Sequence, residues 1–335
     1  MFGTYRTLLA IAVVATHFGG VKGFGLAAVF GFYSLSGFLM TLLVTGPYRG
    51  RRKAFLLNRF LRLYPLYWAV IALTLFLLWL HNWAPFGRLG VPSWLVLLRQ
   101  MAFVNWSTDK PTLNNISWAV TNELIFYVLI ALGISATLKR SLIWLGVSVG
   151  IVITSALFPP TPLVVEGLYF FPRAASLPFA VGATLYHLSD FLTVLPTRRL
   201  AVLGSASAVM VILMILTCAS FEQRDFPIMM LWTYVSLLPA GMIILSLFSW
   251  EQTELDDQMG RFSYPIYLAQ YPGAMALLLL GMVPGFWGVM AATLAISALF
   301  LAFIDAPIQR LRQKIRPSRD RCVGLDSDIA QAFLE

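Results

Sequence analysis

Long apolar runs, separated by short stretches rich in arginine, glycine and proline, follow one another along almost the whole chain. Ten of them, at about 5–22, 26–45, 63–82, 117–138, 141–159, 167–186, 200–220, 227–249, 263–281 and 285–304, have the length that crosses a hydrocarbon layer roughly 30 Å thick. Backbone groups facing lipid must be satisfied within their own segment, so each run is expected to be a helix. The run at 91–104 is too short to span and is expected to be an interfacial or re-entrant segment, with Trp94 and Trp106 at headgroup level. The first run has the look of a secretory leader, but the pattern resumes at 25–44 and cleavage after Ala15 would discard a pairing described below, so it is expected to stay.

Composition agrees with this reading. Of 335 residues, 59% are hydrophobic and 12% charged, which leaves too little polar surface for a water-soluble domain. The net charge of +9 does not indicate a nucleic-acid binder, because the basic residues sit in short loops between apolar runs. Placing residue 1 inside the cell gathers 18 of the 24 lysines and arginines on that side, the side the positive-inside rule makes cytoplasmic. The expected architecture is therefore an all-α integral membrane protein, a single bundle of about ten transmembrane helices with both termini cytoplasmic. Residues 1–307 form the transmembrane domain, and 308–335 a basic, amphipathic cytoplasmic tail with a short acidic end, readable as an anchor on anionic lipid. A long loop, about 83–116, is left on the outer side. Cys218 and Cys322 fall in different environments and suggest neither a disulfide framework nor a metal site.

Polar residues inside apolar runs are the candidates for chemistry. In RTLLAIAVVATH, Arg6 and His17 stand eleven positions apart, about 16 Å along a helix and nearly on one face. Arg6 reads either as a topological anchor or as the partner of an anion; His17 reads either as a polar bridge between helices or as an acid–base group. In AFLLNRFLRLYPLYW, Arg59 and Arg62 at i and i+3 point two guanidinium forks one way, as a phosphate would require, unless they are simply more inside charge. In ISWAVTNELIFYVLIAL, Glu123 lies within a span, with Trp118 near the outer interface before it and Tyr127 one turn on. A buried carboxylate must be protonated or paired, and Arg173 and His17 are the available partners, in a site or in a structural ion pair.

Taken together these segments resemble the membrane-bound acyltransferase 3 family, whose bacterial members O-acylate surface glycans. Besides RTLLAIAVVATH, the resemblance rests on FYSLSGFLMTLL, NRFLRLYPLYW, ISWAVTNELIFY, FPRAASLPFAVGATL and SYPIYLAQ, which run in family order from Arg6 to about Pro307. It implies a multi-pass protein of the bacterial inner membrane that moves an acyl group, most often acetyl, from cytoplasmic acyl-CoA to a hydroxyl of a polysaccharide, glycolipid or lipid-linked saccharide outside. It implies His17 as catalytic residue, with Glu123 beside it as orienting or charge-balancing group, and Arg6, Arg59 and Arg62 on the donor. Trp118, Tyr127, Arg173, Tyr267 and Asp305 follow as supporting residues. No metal and no nucleic acid enter; membrane lipid is a partner, and a homo-oligomer is compatible with the sequence. Two positions depart from the family pattern: Gln270 stands where SYxxYLxH ends in histidine, and Asp305 replaces the commoner glutamate. A proton-coupled secondary transporter is the alternative from another class, since it also buries His, Glu and Arg, although no internal repeat is visible. A non-catalytic family member is the other.

Overall fold

The computed structural model describes residues 1–81, 93–104, 113–157, 169–192, 194–248, 250 and 253–315. The described residues form helices and no strand: α1 (Phe2–Phe18), α2 (Phe24–Thr45), α3 (Arg52–Leu80), α4 (Trp94–Met101), α5 (Ser117–Leu132), α6 (Leu138–Leu157), α7 (Pro172–Leu188), α8 (Arg199–Glu222), α9 (Phe226–Val235), α10 (Leu237–Phe248), α11 (Glu254–Leu279), α12 (Phe286–Phe300) and α13 (Ala306–Ile315). A helix or helix pair lies on every one of the ten predicted runs, and among the described residues six stretches are long and apolar enough by themselves to cross a membrane: α2, α3, α6, α8, α9 with α10, and α12 continued into α13. The remaining four, α1, α5, α7 and α11, are shorter or more polar, and among them they carry Arg6, His17, Trp118, Glu123, Tyr127, Arg173, Tyr267 and Gln270. A helix packed inside a bundle need not be as apolar as one that faces lipid.

Small residues decide which helices touch. A Cβ on Gly37 of α2 would come within 2.2 Å of the Phe179 carbonyl oxygen, and one on Gly182 of α7 within 1.8 Å of that of Ser34. The α2–α7 crossing therefore brings backbone onto backbone, as small-residue motifs permit in membranes. Gly3 and Gly260 do the same for α1 and α11, where a Cβ on Gly3 would lie 1.8 Å from the Asp256 carbonyl oxygen. Asp256, in the first turn of α11, clamps that end: its carboxylate accepts the backbone N–H of Gly3 at 2.9 Å, and the N–H and hydroxyl of Thr4 at 2.8 and 2.7 Å. Burial alone would raise this carboxyl, but the Thr4 and Gly3 hydrogen bonds outweigh it and hold the group below the usual carboxylate range.

α1 and α11 thus run side by side, and α1 stops first. Gly19 and Gly20 end it, with Gly20 and Gly23 in the left-handed region (φ 76° and 104°) that turns the chain into α2. α4 is short, as its run predicts. Its C-terminal end is held by Trp68 Nε1 to Met101 O at 3.0 Å and Tyr64 OH to Ala102 O at 3.4 Å, near the midpoint of α3. Trp94 is exposed, and Trp106 lies outside the described residues. After α12, five residues, Leu301–Asp305, widen into a π-helical turn before α13. α13 packs on α3 with Arg312 buried, so the first part of the tail is a wall of the bundle. Residues 316–335, including Cys322, lie outside the described residues.

Candidate active site

The ends of α1, α3 and α11 form with α13 a cavity of about 420 Å³. Arg6 of α1 and Arg62 of α3 line it, with Arg261 of α11 and with Arg310 and Arg312 of α13. Glu254, Asp257 and Asp305 lie on its wall, and Asp305 Oδ2 meets Arg261 Nη2 at 3.4 Å. Positive charge is in excess there, as an anion site requires. Arg59 does not share this exposure. It is 2% exposed, sits 5.9 Å over the Phe55 ring and donates from Nη2 to Asn58 Oδ1 at 3.0 Å. Arg312 donates to the same oxygen at 3.3 Å. The spacing of three therefore parts the two predicted forks: Arg62 looks into the cavity, and Arg59 is built into its wall.

A second cavity, about 60 Å³, continues from the first deeper into the bundle, and Arg6, Arg62 and Tyr264 line both. Its other walls include Phe32, Tyr33, Ser36, Glu123, Tyr127 and Tyr267. Glu123 Oε1 accepts the Ser36 hydroxyl at 2.7 Å and the Tyr127 hydroxyl. These neighbours correct the pairing expected from sequence, since neither Arg173 nor His17 fills that place. Arg173 is exposed beside the Phe171 ring, 5.5 Å from its centroid. Glu123 lies level with Arg6 and not with His17, so the fold does not bring the two expected catalytic groups together.

His17 occupies the last turn of α1, exposed on one side. Its Nδ1 is 2.7 Å from Gln270 Oε1, and its ring lies 5.5 Å from that of Tyr271. α11 runs nine residues past Gln270 to Leu279, about 13 Å of further helix. α11 therefore continues past His17 along one side of it. It lines neither of the two cavities; the link to them passes through Gln270, whose Nε2 donates to Tyr267 O at 2.8 Å, and Tyr267 lines the smaller one. Tyr267 in turn donates its hydroxyl to Ile116 O at 3.0 Å.

Trp118 is buried, edge-on to Tyr169 and Phe170 at 5.0 and 4.8 Å. Ser36, Asn58, Tyr264 and Arg312 are site residues that sequence reasoning did not single out. Ser36 and Asn58 were within quoted segments, but a serine or asparagine in an apolar run gives no sign of its partner. Arg312 was hidden by a tail that reads as ordinary positive-inside charge.

Comparison with protein families matches residues 4–304 to a family model described as an acyltransferase domain. Comparison with curated proteins and with solved structures found no match. The match covers nearly the whole chain and includes every helix that lines the two cavities or holds His17, apart from the tail helix α13. This chain belongs to the acyltransferase 3 family.

Proposed function

We propose that the protein is a membrane O-acyltransferase that takes an acyl group, acetyl above all, from cytoplasmic acyl-CoA and places it on a hydroxyl of a glycan or lipid-linked saccharide at the outer side of the inner membrane. The observation that carries this reading is the pair of environments at the two ends of α1. At one end Arg6 joins Arg62, Arg261, Arg310 and Arg312 around a polar cavity with room for a phosphate-bearing group. At the other, His17 is exposed with its ring held by Gln270. Guanidinium groups bind the phosphates by charge-assisted hydrogen bonds. The uncharged pantetheine arm then follows the smaller cavity past Tyr264 toward Tyr267, carrying the thioester in the direction of His17.

In the transfer step a neutral His17 takes the proton of the acceptor hydroxyl as its oxygen attacks the thioester carbonyl. The new C–O bond forms, the C–S bond breaks, and the proton passes from His17 to the departing CoA thiolate. Glu123, held by Ser36 and Tyr127, balances Arg6 and Arg62 at the mouth of the smaller cavity, a role different from contact with His17. The reading is tested by mass spectrometry of surface glycans from cells carrying the wild type or His17→Ala. An acyl mass increment present with the former and absent with the latter is expected; an increment that survives in the variant overturns it.

A further inference from the structure

Gln270 is one of the two positions at which this chain departs from the family pattern, and its surroundings give that departure a chemical meaning. The side chain is 0% exposed, so water does not compete for its amide. Its Nε2 lies 2.8 Å from the backbone oxygen of Tyr267, a group that only accepts hydrogen bonds. The amide nitrogen must therefore face Tyr267, which leaves the amide oxygen, also acceptor only, facing His17 Nδ1 at 2.7 Å. An imidazole nitrogen in contact with a carbonyl oxygen has to carry the proton. α11 is fixed at this level by neighbouring contacts. Pro272 has no N–H to offer the Leu268 carbonyl one turn back, and that oxygen accepts Asn114 Nδ2 at 3.1 Å instead.

We infer that Gln270 is a positioning residue that holds neutral His17 as its Nδ1–H tautomer, making Nε2 the atom that receives the acceptor's proton. Free imidazole favours the opposite tautomer, so the hydrogen-bond relay from Tyr267 through Gln270 reverses an intrinsic preference. Glutamine also does so without titrating. A histidine at this place would form a coupled pair with His17, and the two would lose protons in shared steps. Among the described residues, the titratable side chain against the His17 ring is Tyr271, from the same helix as Gln270; Phe18 is the other ring beside it. This chain's acid limb is accordingly that of one imidazole.

The inference rests on the acyl-transfer reading of His17, but its first test does not. The chain has three histidines, so nitrogen NMR of the full-length protein in nanodiscs with labelled histidine can be assigned by comparison with His17→Ala. A protonated Nδ1 and a bare Nε2 are expected for His17, and the reverse overturns the inference. In Gln270→Leu the proton should move to Nε2, with kcat down about tenfold or more and KM for acetyl-CoA unchanged. Unchanged kcat and tautomer in that variant also overturn it. Gln270→Glu keeps the acceptor, and a carboxylate favours imidazolium, so activity should persist with its acid limb moved to higher pH. Gln270→His should give an acid limb with two coupled steps. Failure of the functional reading looks different: His17→Ala would be active while the wild-type spectrum still showed Nδ1–H.

Discussion

Arg59 and Arg312, one near the start of α3 and the other in the tail helix, donate to the same atom, Oδ1 of Asn58, at 3.0 and 3.3 Å. Both are 2% exposed. The contact ties the end of the described chain to the third helix, and it sets Arg59, which lines neither cavity, apart from Arg6 and Arg62, which line both.

Substitution should reveal that separation. Arg62→Ala and Arg6→Ala are expected to leave the protein folded while weakening CoA binding about tenfold or more each, the loss of a charge-assisted contact. Asn58→Leu is expected to lower the unfolding temperature in detergent, because two buried guanidinium groups lose their shared acceptor. Titration calorimetry with CoA, beside a thermal melt, checks both. Undiminished CoA affinity in folded Arg62→Ala would remove that residue from the donor site.

Glu123 distinguishes hydrogen bonding from charge. Glu123→Gln keeps an oxygen for Ser36 and Tyr127, whereas Glu123→Leu strands two buried hydroxyls at about 1–3 kcal/mol each. The leucine variant should therefore melt well below the glutamine variant. Equal melting temperatures would mean that neither the Ser36 bond between α2 and α5 nor the Tyr127 bond within α5 contributes to stability.

The α2–α7 crossing should not tolerate even a methyl group. Gly182→Ala and Gly37→Ala are each expected to cost at least about 2 kcal/mol, since the new carbon meets a backbone oxygen that has no rotamer to give. Gly146→Ala, where no atom lies within 4 Å, is the control and should be neutral or slightly stabilising. Yield and melting of the three variants compare them directly.

Asp256 gives stability a pH dependence of known sign. Its carboxyl is depressed in the folded protein, so its contribution is complete above the unfolded value of about 3.9 and disappears as pH falls through the folded one. Melting temperature should drop below about pH 4 in the wild type, and less steeply in Asp256→Asn, which starts lower at neutral pH. Parallel curves would show that the clamp on Gly3 and Thr4 does not depend on charge.

Direct transfer has a kinetic signature. Rapid quenching with labelled acetyl-CoA and no acceptor should show no stoichiometric labelling of the enzyme. A burst that disappears in His17→Ala would replace the general-base step by an acyl-histidine relay.

The helices were legible because lipid imposes one simple demand, a long apolar run, and all ten runs hold helix. Their inequality was less legible. α1 and α11 look like spans of ordinary length, but glycines end the first early, and only contact between the two shows that α11 runs on past His17. At the site, the charged residues were readable one at a time because charge in an apolar run is costly. Their partners were not, since Ser36, Asn58 and Gln270 are chosen by three-dimensional proximity that spacing along one helix cannot encode. The expected Glu123–His17 pairing failed for that reason: each stood in a plausible place, and nothing in either segment gave its depth relative to the other.

The π-helical turn at Leu301–Asp305 acts as a phase shifter between α12 and the tail. Closing it to a regular α-helix without losing a residue would rotate everything downstream by about 100°. Arg312 would swing away from Asn58, and Arg310 would no longer point toward the cavity, with no charge lost from the sequence. The extra residue in that turn sets where the tail's arginines are aimed, so the tail is read by its angle as much as by its charge.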